Sequence, residues 1–114
     1  MPRYTFRKSE HLLKRWEFER VYSSGNQYVG KYLRISVLCS QPDKKLGIIA
    51  GRKTGCAVLR NRFKRLIRET YRLNKHLLPE GLHIVVSAFR YEDTLKFKLI
   101  EVDFLDMCKK AGLL

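Results

Sequence analysis

Residues 57 to 75 constrain this chain more than any other stretch. The run Ala57-Val58-Leu59-Arg60-Asn61-Arg62-Phe63-Lys64-Arg65-Leu66-Ile67-Arg68-Glu69 opens a segment that reaches Lys75 without a glycine or a proline. At about 100° of rotation per residue, Leu59, Phe63, Leu66, Ile67, Thr70 and Leu73 fall in one arc. Arg60, Lys64, Arg65, Arg68, Arg72 and Lys75 fall opposite, with Asn61 among them. Arg62 lies near the boundary, where its aliphatic stem can follow the core edge. A helix from Val58 to about Lys75, divided in this way, must bury one face and leave the other to solvent or a partner. The rest of the chain must therefore supply an apolar surface for it.

Several segments do so. Arg15-Trp16-Glu17-Phe18-Glu19-Arg20-Val21-Tyr22 reads as a short helix with Phe18 and Tyr22 on one face. Gly25 is placed to end it as a C′ residue. Tyr28 to Leu38 reads as extended, with Leu33, Ile35 and Val37 alternating with Tyr32, Arg34 and Ser36. Gln41-Pro42-Asp43-Lys44 is turn chemistry. Leu46 to Ala50 returns as a second strand, which predicts an antiparallel hairpin. Pro79 and Gly81 punctuate the chain after the long helix. Leu82 to Ala88 is a nearly continuous apolar run that suits an interior strand. Asp93 or Thr94 is positioned to cap a last helix. Leu95, Leu99 and Val102 mark one stripe of it, and Phe97, Ile100, Phe104 and Met107 another, a broad surface expected to lie flat against the sheet. Helix, strands, helix, strand, helix is the order of an α+β sandwich. The 114 residues suit a single domain, 1–114, with a basic N-terminal arm over about residues 1–14.

Charge decides what kind of partner such a domain meets. Lys and Arg total 24 against 11 Asp and Glu, a formal net charge of +13. That imbalance points to a polyanion, nucleic acid first and an anionic membrane surface second. Arg60, Lys64, Arg68 and Arg72 stand at i, i+4 intervals, where each like-charge pair costs an isolated helix a few tenths of a kcal/mol. A solvated face usually mixes signs, whereas this face fits a partner that relieves the repulsion. Arginine suits phosphate because its planar fork donates two parallel hydrogen bonds.

Other chemistries find little support. Cys39, Cys56 and Cys108 are odd in number and form no Cys-x-x-Cys pair, so they read as reduced thiols of a cytoplasmic protein. The N-terminus has no signal-peptide apolar region, and no apolar run approaches the ~20 residues of a membrane span. His11, His76 and His83 are scattered, and Asp103 and Asp106 read as solvating charges on the last helix. No catalytic residue and no metal ligand is therefore assigned to the protein.

The run from Ala57 to Glu69 resembles the RNR signature of the bacterial ribonuclease P protein subunit. Leu46-Gly47-Ile48 through Lys53-Thr54-Gly55 resembles that family's strand and loop. Trp16 to Tyr22, followed by Gly25, is similar to its first helix. The resemblance covers nearly the whole chain in order. It implies an α-β-β-β-α-β-α sandwich on a small mixed sheet, with a left-handed crossover around the basic helix that departs from the general right-handed rule. It also implies the non-catalytic protein subunit of an endoribonuclease. The partners would be ribonuclease P RNA and precursor tRNA, with no membrane and no obligate protein partner. The 5′ leader would be removed at an active site in the RNA. Mg²⁺ would belong to that RNA, and the protein itself would bind no cofactor.

Carried over by position, Arg60, Asn61, Arg62, Lys64, Arg65 and Arg68 match the basic signature and would contact the catalytic RNA, with Lys53 nearby and Arg72 continuing the ridge. Phe18 and Tyr22 match the aromatic positions of the family's leader cleft, to which Tyr32 and Arg34 are added from the neighbouring strand. Rings that stack on unpaired bases beside cations that track the backbone would suit a single strand. Ordinary core packing equally fits the i, i+4 spacing of Phe18 and Tyr22. Where the family often has a basic pair, this chain has Phe89-Arg90, leaving Arg90 as the one cation there.

Three other readings compete. A general RNA-binding or ribosomal-type protein would share the basic helix but has no use for an aromatic groove. A protein-only nuclease would need clustered acids or a partnered histidine. A peripheral membrane protein would need an apolar helix face that the core already claims.

Overall fold

The nearly continuous apolar run from Leu82 to Ala88 supplies the strand around which the sheet is organised. A computed structural model describes residues 10–51, 55–88 and 96–114. In chain order the elements are α1 (Arg15–Ser24), β1 (Asn26–Val29), β2 (Leu33–Leu38), β3 (Lys45–Ile49), α2 (Ala57–Asn74), a 3₁₀ turn (Lys75–Leu77), β4 (His83–Ala88) and α3 (Phe97–Lys110). The sheet runs β1-β2-β4-β3. β2 is antiparallel to β1 and to β4, and β3 is parallel to β4. The fold is thus an α+β sandwich on a mixed sheet, with α2 carrying the chain across between two parallel neighbours.

Two strand expectations are corrected. The stretch from Tyr28 to Leu38 is two strands, which reverse between Val29 and Leu33 and pair Tyr28 with Ile35. The predicted hairpin of the Leu46 strand with its predecessor does not form, because β4 lies between β2 and β3. The cause is burial. His83, Ile84, Val85 and Val86 are all buried, so β4 has apolar or partnered side chains on both faces and belongs in the interior. β3 is buried only at Leu46 and Gly47 and takes the edge.

Alternation along the strands divides the core into two layers. Leu33, Ile35, Val37, Leu46, Ile84 and Val86 face α2 and α3, whose Phe63, Ile67, Tyr71, Ile100, Phe104 and Met107 complete the larger cluster. Leu12, Val21 and Val85 form a smaller cluster under α1, with Phe18, Leu38 and Ile49 packed against it. The helical arc read from sequence is right for Phe63, Ile67 and Thr70 but omits Tyr71 and Asn74, which are also buried. Asn74 donates to the Thr70 carbonyl at 2.8 Å and to Glu101 at 2.9 Å, tying α2 to α3.

Gly25 ends α1, though not by the left-handed route expected of it. Its backbone is extended (φ −95°, ψ 179°). It must be glycine because a Cβ there would collide with the carbonyl oxygens of Val21 and Val37.

The last helix also departs from expectation. Its N-cap is Lys96, without a side-chain cap, while Asp93, Thr94 and Leu95 lie outside the described residues. Only one of its two apolar stripes meets the sheet: Leu99 and Val102 are exposed. Asp103, expected to be a solvating charge, is buried and accepts the backbone N–H groups of Lys31, Tyr32 and Leu33. Ile100, Phe104, Met107 and Cys108 centre the buried arc of α3, Asp103 lies at its edge, and Leu99 and Val102 fall beyond that edge on the exposed side.

Candidate nucleic-acid interface

Phe63, Ile67 and Tyr71 pin α2 to the core, so its opposite side is presented as a fixed surface. Asn61, Arg62, Arg65 and Arg68 are exposed, and Arg60 and Lys64 are partly so. Among the described residues, Arg60, Lys64, Arg65 and Arg68 form no ion pair with any carboxylate. The ridge is neutralised at its C-terminal end. Arg72 is bonded to Glu69, its Nε at 3.2 Å, and Lys75 holds Glu10 at 2.7 Å. The hydrogen bond from Arg72 keeps the Glu69 carboxyl below the usual range. Arg60, Lys64, Arg65 and Arg68 thus carry charge that no carboxylate among the described residues offsets, while Arg72 is engaged by Glu69.

The cations also divide over two flanks of the helix. Lys64 and Arg68 overhang a hollow of about 140 Å³ beside His11, Leu12 and Leu46. That hollow exists because the segment before α1 is bridged onto the free side of β3, Leu12 N–H donating to the Leu46 carbonyl at 2.9 Å. Arg62 and Arg65 lean the other way, toward α3. Lys53 and Arg90 lie outside the described residues.

The opposite side of the sheet carries the aromatic candidates. Glu17 anchors the start of α1 by accepting the N–H groups of Leu13 (3.2 Å) and Lys14 (3.0 Å), with the Lys45 ammonium at 3.6 Å. Burial opposes its charge, but these contacts outweigh burial and lower its pKa. With Glu17 and Val21 turned inward, Phe18 and Tyr22 emerge one position further round. Phe18 is partly buried over Gly47, where an added Cβ would stand 2.5 Å from the ring. Tyr22 is 37% exposed. Burial raises its hydroxyl pKa while the Arg34 guanidinium pulls it down, which places Arg34 within its electrostatic reach. Phe18, Tyr22 and Arg34 thus share one face, and Phe18 serves the small core and that face together.

Tyr32 does not join them. It precedes β2, packs against the larger core cluster and gives its N–H to Asp103. Strict alternation put it beside Arg34, and the reversal before Leu33 breaks that alternation.

One network escaped the sequence reading. His83, 2% exposed, contacts Asp43 through Nε2 at 2.6 Å and Arg20 through Nδ1 at 3.3 Å. Arginine only donates, so Nδ1 accepts and Nε2–H donates to Asp43. That hydrogen bond is the main reason the Asp43 carboxyl sits below its ordinary value. The Arg20 guanidinium also lies over the Trp16 ring, 5.3 Å from its centroid. The available signal was a histidine inside an apolar strand, on the same face as Val85. A buried imidazole requires partners, but sequence does not say which. Among the described residues no three His, Cys, Asp or Glu side chains group to hold a metal ion, and no helix is long and apolar enough to cross a membrane.

Residues 6–112 match the sequence model of a family described as Ribonuclease P. A ribonuclease P protein component from Natranaerobius thermophilus is 36% identical over 104 residues, covering 90% of each chain. One from Syntrophus aciditrophicus is 35% identical over 115 residues, covering all of this chain and 91% of its own. Among solved structures, the Staphylococcus aureus RNase P protein superposes with a TM-score of 0.81 at 28% identity, covering 93% of this chain and 98% of that one. The Thermotoga maritima RNase P protein superposes with a TM-score of 0.79 at 29% identity, covering 89% and 96%.

Proposed function

This chain belongs to the bacterial ribonuclease P protein family, and on that footing we propose that it binds ribonuclease P RNA and the 5′ leader of precursor tRNA. It assists endonucleolytic removal of the leader in the cytoplasm, with no obligate protein partner. The carrying observation is the cationic face of α2, mounted on the core through Phe63, Ile67 and Tyr71, on which Arg60, Lys64, Arg65 and Arg68 form no ion pair with a carboxylate among the described residues. Arg60, Asn61, Arg62, Lys64, Arg65 and Arg68 contact the phosphates of the catalytic RNA, with Lys53 adding to them and Arg72 contributing less because Glu69 already holds it. Each phosphate neutralised releases condensed counterions, which drives the association.

Phe18, Tyr22 and Arg34, with Arg90 beyond the described residues, receive the leader. Rings stack on unpaired bases without regard to sequence, and the guanidinium follows the backbone. A general RNA-binding or ribosomal-type role would use the ridge but leave this face without a task. The protein supplies no group to the bond-breaking step. Mg²⁺ accompanies the RNA, which performs the hydrolysis.

Reconstitution tests the proposal. The protein is mixed with a bacterial ribonuclease P RNA at low Mg²⁺ and presented with precursor tRNA. Cleavage at the mature 5′ end should be restored, and protein rigorously freed of RNA should cleave nothing. No rescue, or cleavage by the protein alone, overturns it.

A further inference from the structure

The flank of α2 that turns toward α3 carries a different mixture from the rest of the ridge. Arg62, Arg65, Leu66 and Glu69 fall at i, i+3, i+4 and i+7 and so share one face. With Phe97, the first residue of α3, they line an open cleft of about 580 Å³. That volume lies within the roughly 300–1,000 Å³ typical of small-ligand sites. Its walls differ in chemistry: Leu66 and Phe97, both partly buried, offer apolar surface, two guanidiniums stand at one end, and Glu69 stands at the other.

We propose that this cleft receives one unpaired nucleotide of the RNA bound by α2. The inference rests on the proposed RNA-binding role and names the element that role engages here. A phosphate track alone would need cations and no apolar floor. A nucleotide needs both, and the two meet in this cleft. The base packs on Leu66 and Phe97, and its phosphate lies against Arg62 and Arg65. Glu69 is kept ionised by its hydrogen bond from Arg72. It can therefore only accept, from an exocyclic amino group or a ribose 2′-hydroxyl, and its pairing with Arg72 leaves that end of the cleft near neutral, so phosphate is favoured at the Arg62 and Arg65 end. That asymmetry fixes which way round the nucleotide sits. A base inside an A-form helix has both faces stacked, so only an unstacked base presents a face to this floor. The cleft is on the α2/α3 side of the sheet, away from Phe18 and Tyr22 beneath α1, so it is distinct from the leader face.

The test uses the full chain and intact ribonuclease P RNA. Photoreactive p-azidophenylalanine is placed at position 97, the complex is irradiated, and the crosslink is mapped. A crosslink concentrated at one unpaired nucleotide is expected. In parallel, Phe97→Leu should lose about tenfold in RNA affinity, in the range of one lost stacking contact. Its plot of log affinity against log salt should keep its slope, because no phosphate contact is lost. Crosslinks confined to helical RNA, an absence of crosslinks, or unchanged affinity in a folded Phe97→Leu protein would overturn the proposal. If Phe97→Leu does not fold, the crosslink decides alone. Failure of the broader RNA-binding role is distinguishable, since the unsubstituted protein would then neither bind the RNA nor rescue cleavage.

Discussion

The side chain of Asp103, midway along α3, accepts the backbone N–H of Leu33, the first residue of β2, at 3.0 Å. The same carboxylate takes the N–H groups of Lys31 and Tyr32, each at 2.9 Å. One acidic residue thereby closes the reversal between β1 and β2 and sets the angle at which α3 meets the sheet. Leaving a buried N–H without an acceptor costs about 1–3 kcal/mol. Asp103→Ala should therefore lower unfolding free energy by about 3 kcal/mol in urea titration. A loss below about 0.5 kcal/mol would show that the carboxylate does not hold this corner.

The leader face can be tested from both sides of one contact. Phe18→Ala combined with Tyr22→Ala removes two stacking surfaces, each worth about 1–3 kcal/mol per base. Binding of precursor tRNA to the reconstituted holoenzyme should weaken at least tenfold more than binding of mature tRNA. Gly47→Ala should move in the same direction, because its new methyl group displaces the Phe18 ring. Equal losses for the two RNAs, in proteins shown to be folded, would remove the leader assignment.

Salt titration should separate the cations of α2. The logarithm of RNA affinity should fall linearly with log salt, and Lys64→Ala or Arg68→Ala should each reduce that slope by about one phosphate contact. Arg72→Ala should change the slope less, because Glu69 already engages Arg72. An Arg72 effect equal to that of Arg68 would mean that RNA displaces the internal pair.

Glu17 gives the fold a definite acid sensitivity. Burial disfavours its charge, but the N–H groups of Lys14 and Leu13 and the Lys45 ammonium leave its folded-state pKa below the ordinary value. A carboxyl with a depressed folded pKa stabilises the native state above its unfolded pKa of about 4.3, and loses that contribution as pH falls through the folded value. The native protein should thus exceed Glu17→Gln in stability at pH 7, and the gap should narrow as pH falls below the unfolded value and through the lowered folded one. Urea melts on progressive acidification measure it, and a gap that does not narrow as the carboxyl is protonated would contradict the assignment.

Local rules carried much of the architecture. The 3.6-residue period placed Phe63 and Ile67 inward and the arginines outward, because a helix face is set by neighbours within a few residues. The nearly continuous apolar run of β4 marked it as interior for the same kind of reason. Partnerships across the chain were not legible in this way. The sequence alone placed β3 beside β2, whereas the demand of β4 for cover on both edges separates them. Asp103 read as a surface charge because its acceptor role depends on N–H groups some 70 positions away. The site followed the same division. The α2 cations came from periodicity, while the loss of Arg72 to Glu69, the inward packing of Tyr32 and the Arg20–His83–Asp43 chain needed the tertiary arrangement. Phe97 gave no sign of lining a cleft with Arg62 and Arg65, since only packing of α3 brings it there.

The strand order also has a consequence in time. β3 is synthesised before α2, yet its ladder partner β4 comes after it. On a ribosome adding about 5–20 residues per second, the middle of the nascent sheet stays open while the whole basic helix emerges. Non-local pairings of this kind are slow to form, and the sheet on which α2 packs is complete only when β4 stands between β2 and β3. A growing chain that met its RNA earlier would do so with the cations present but not yet aimed.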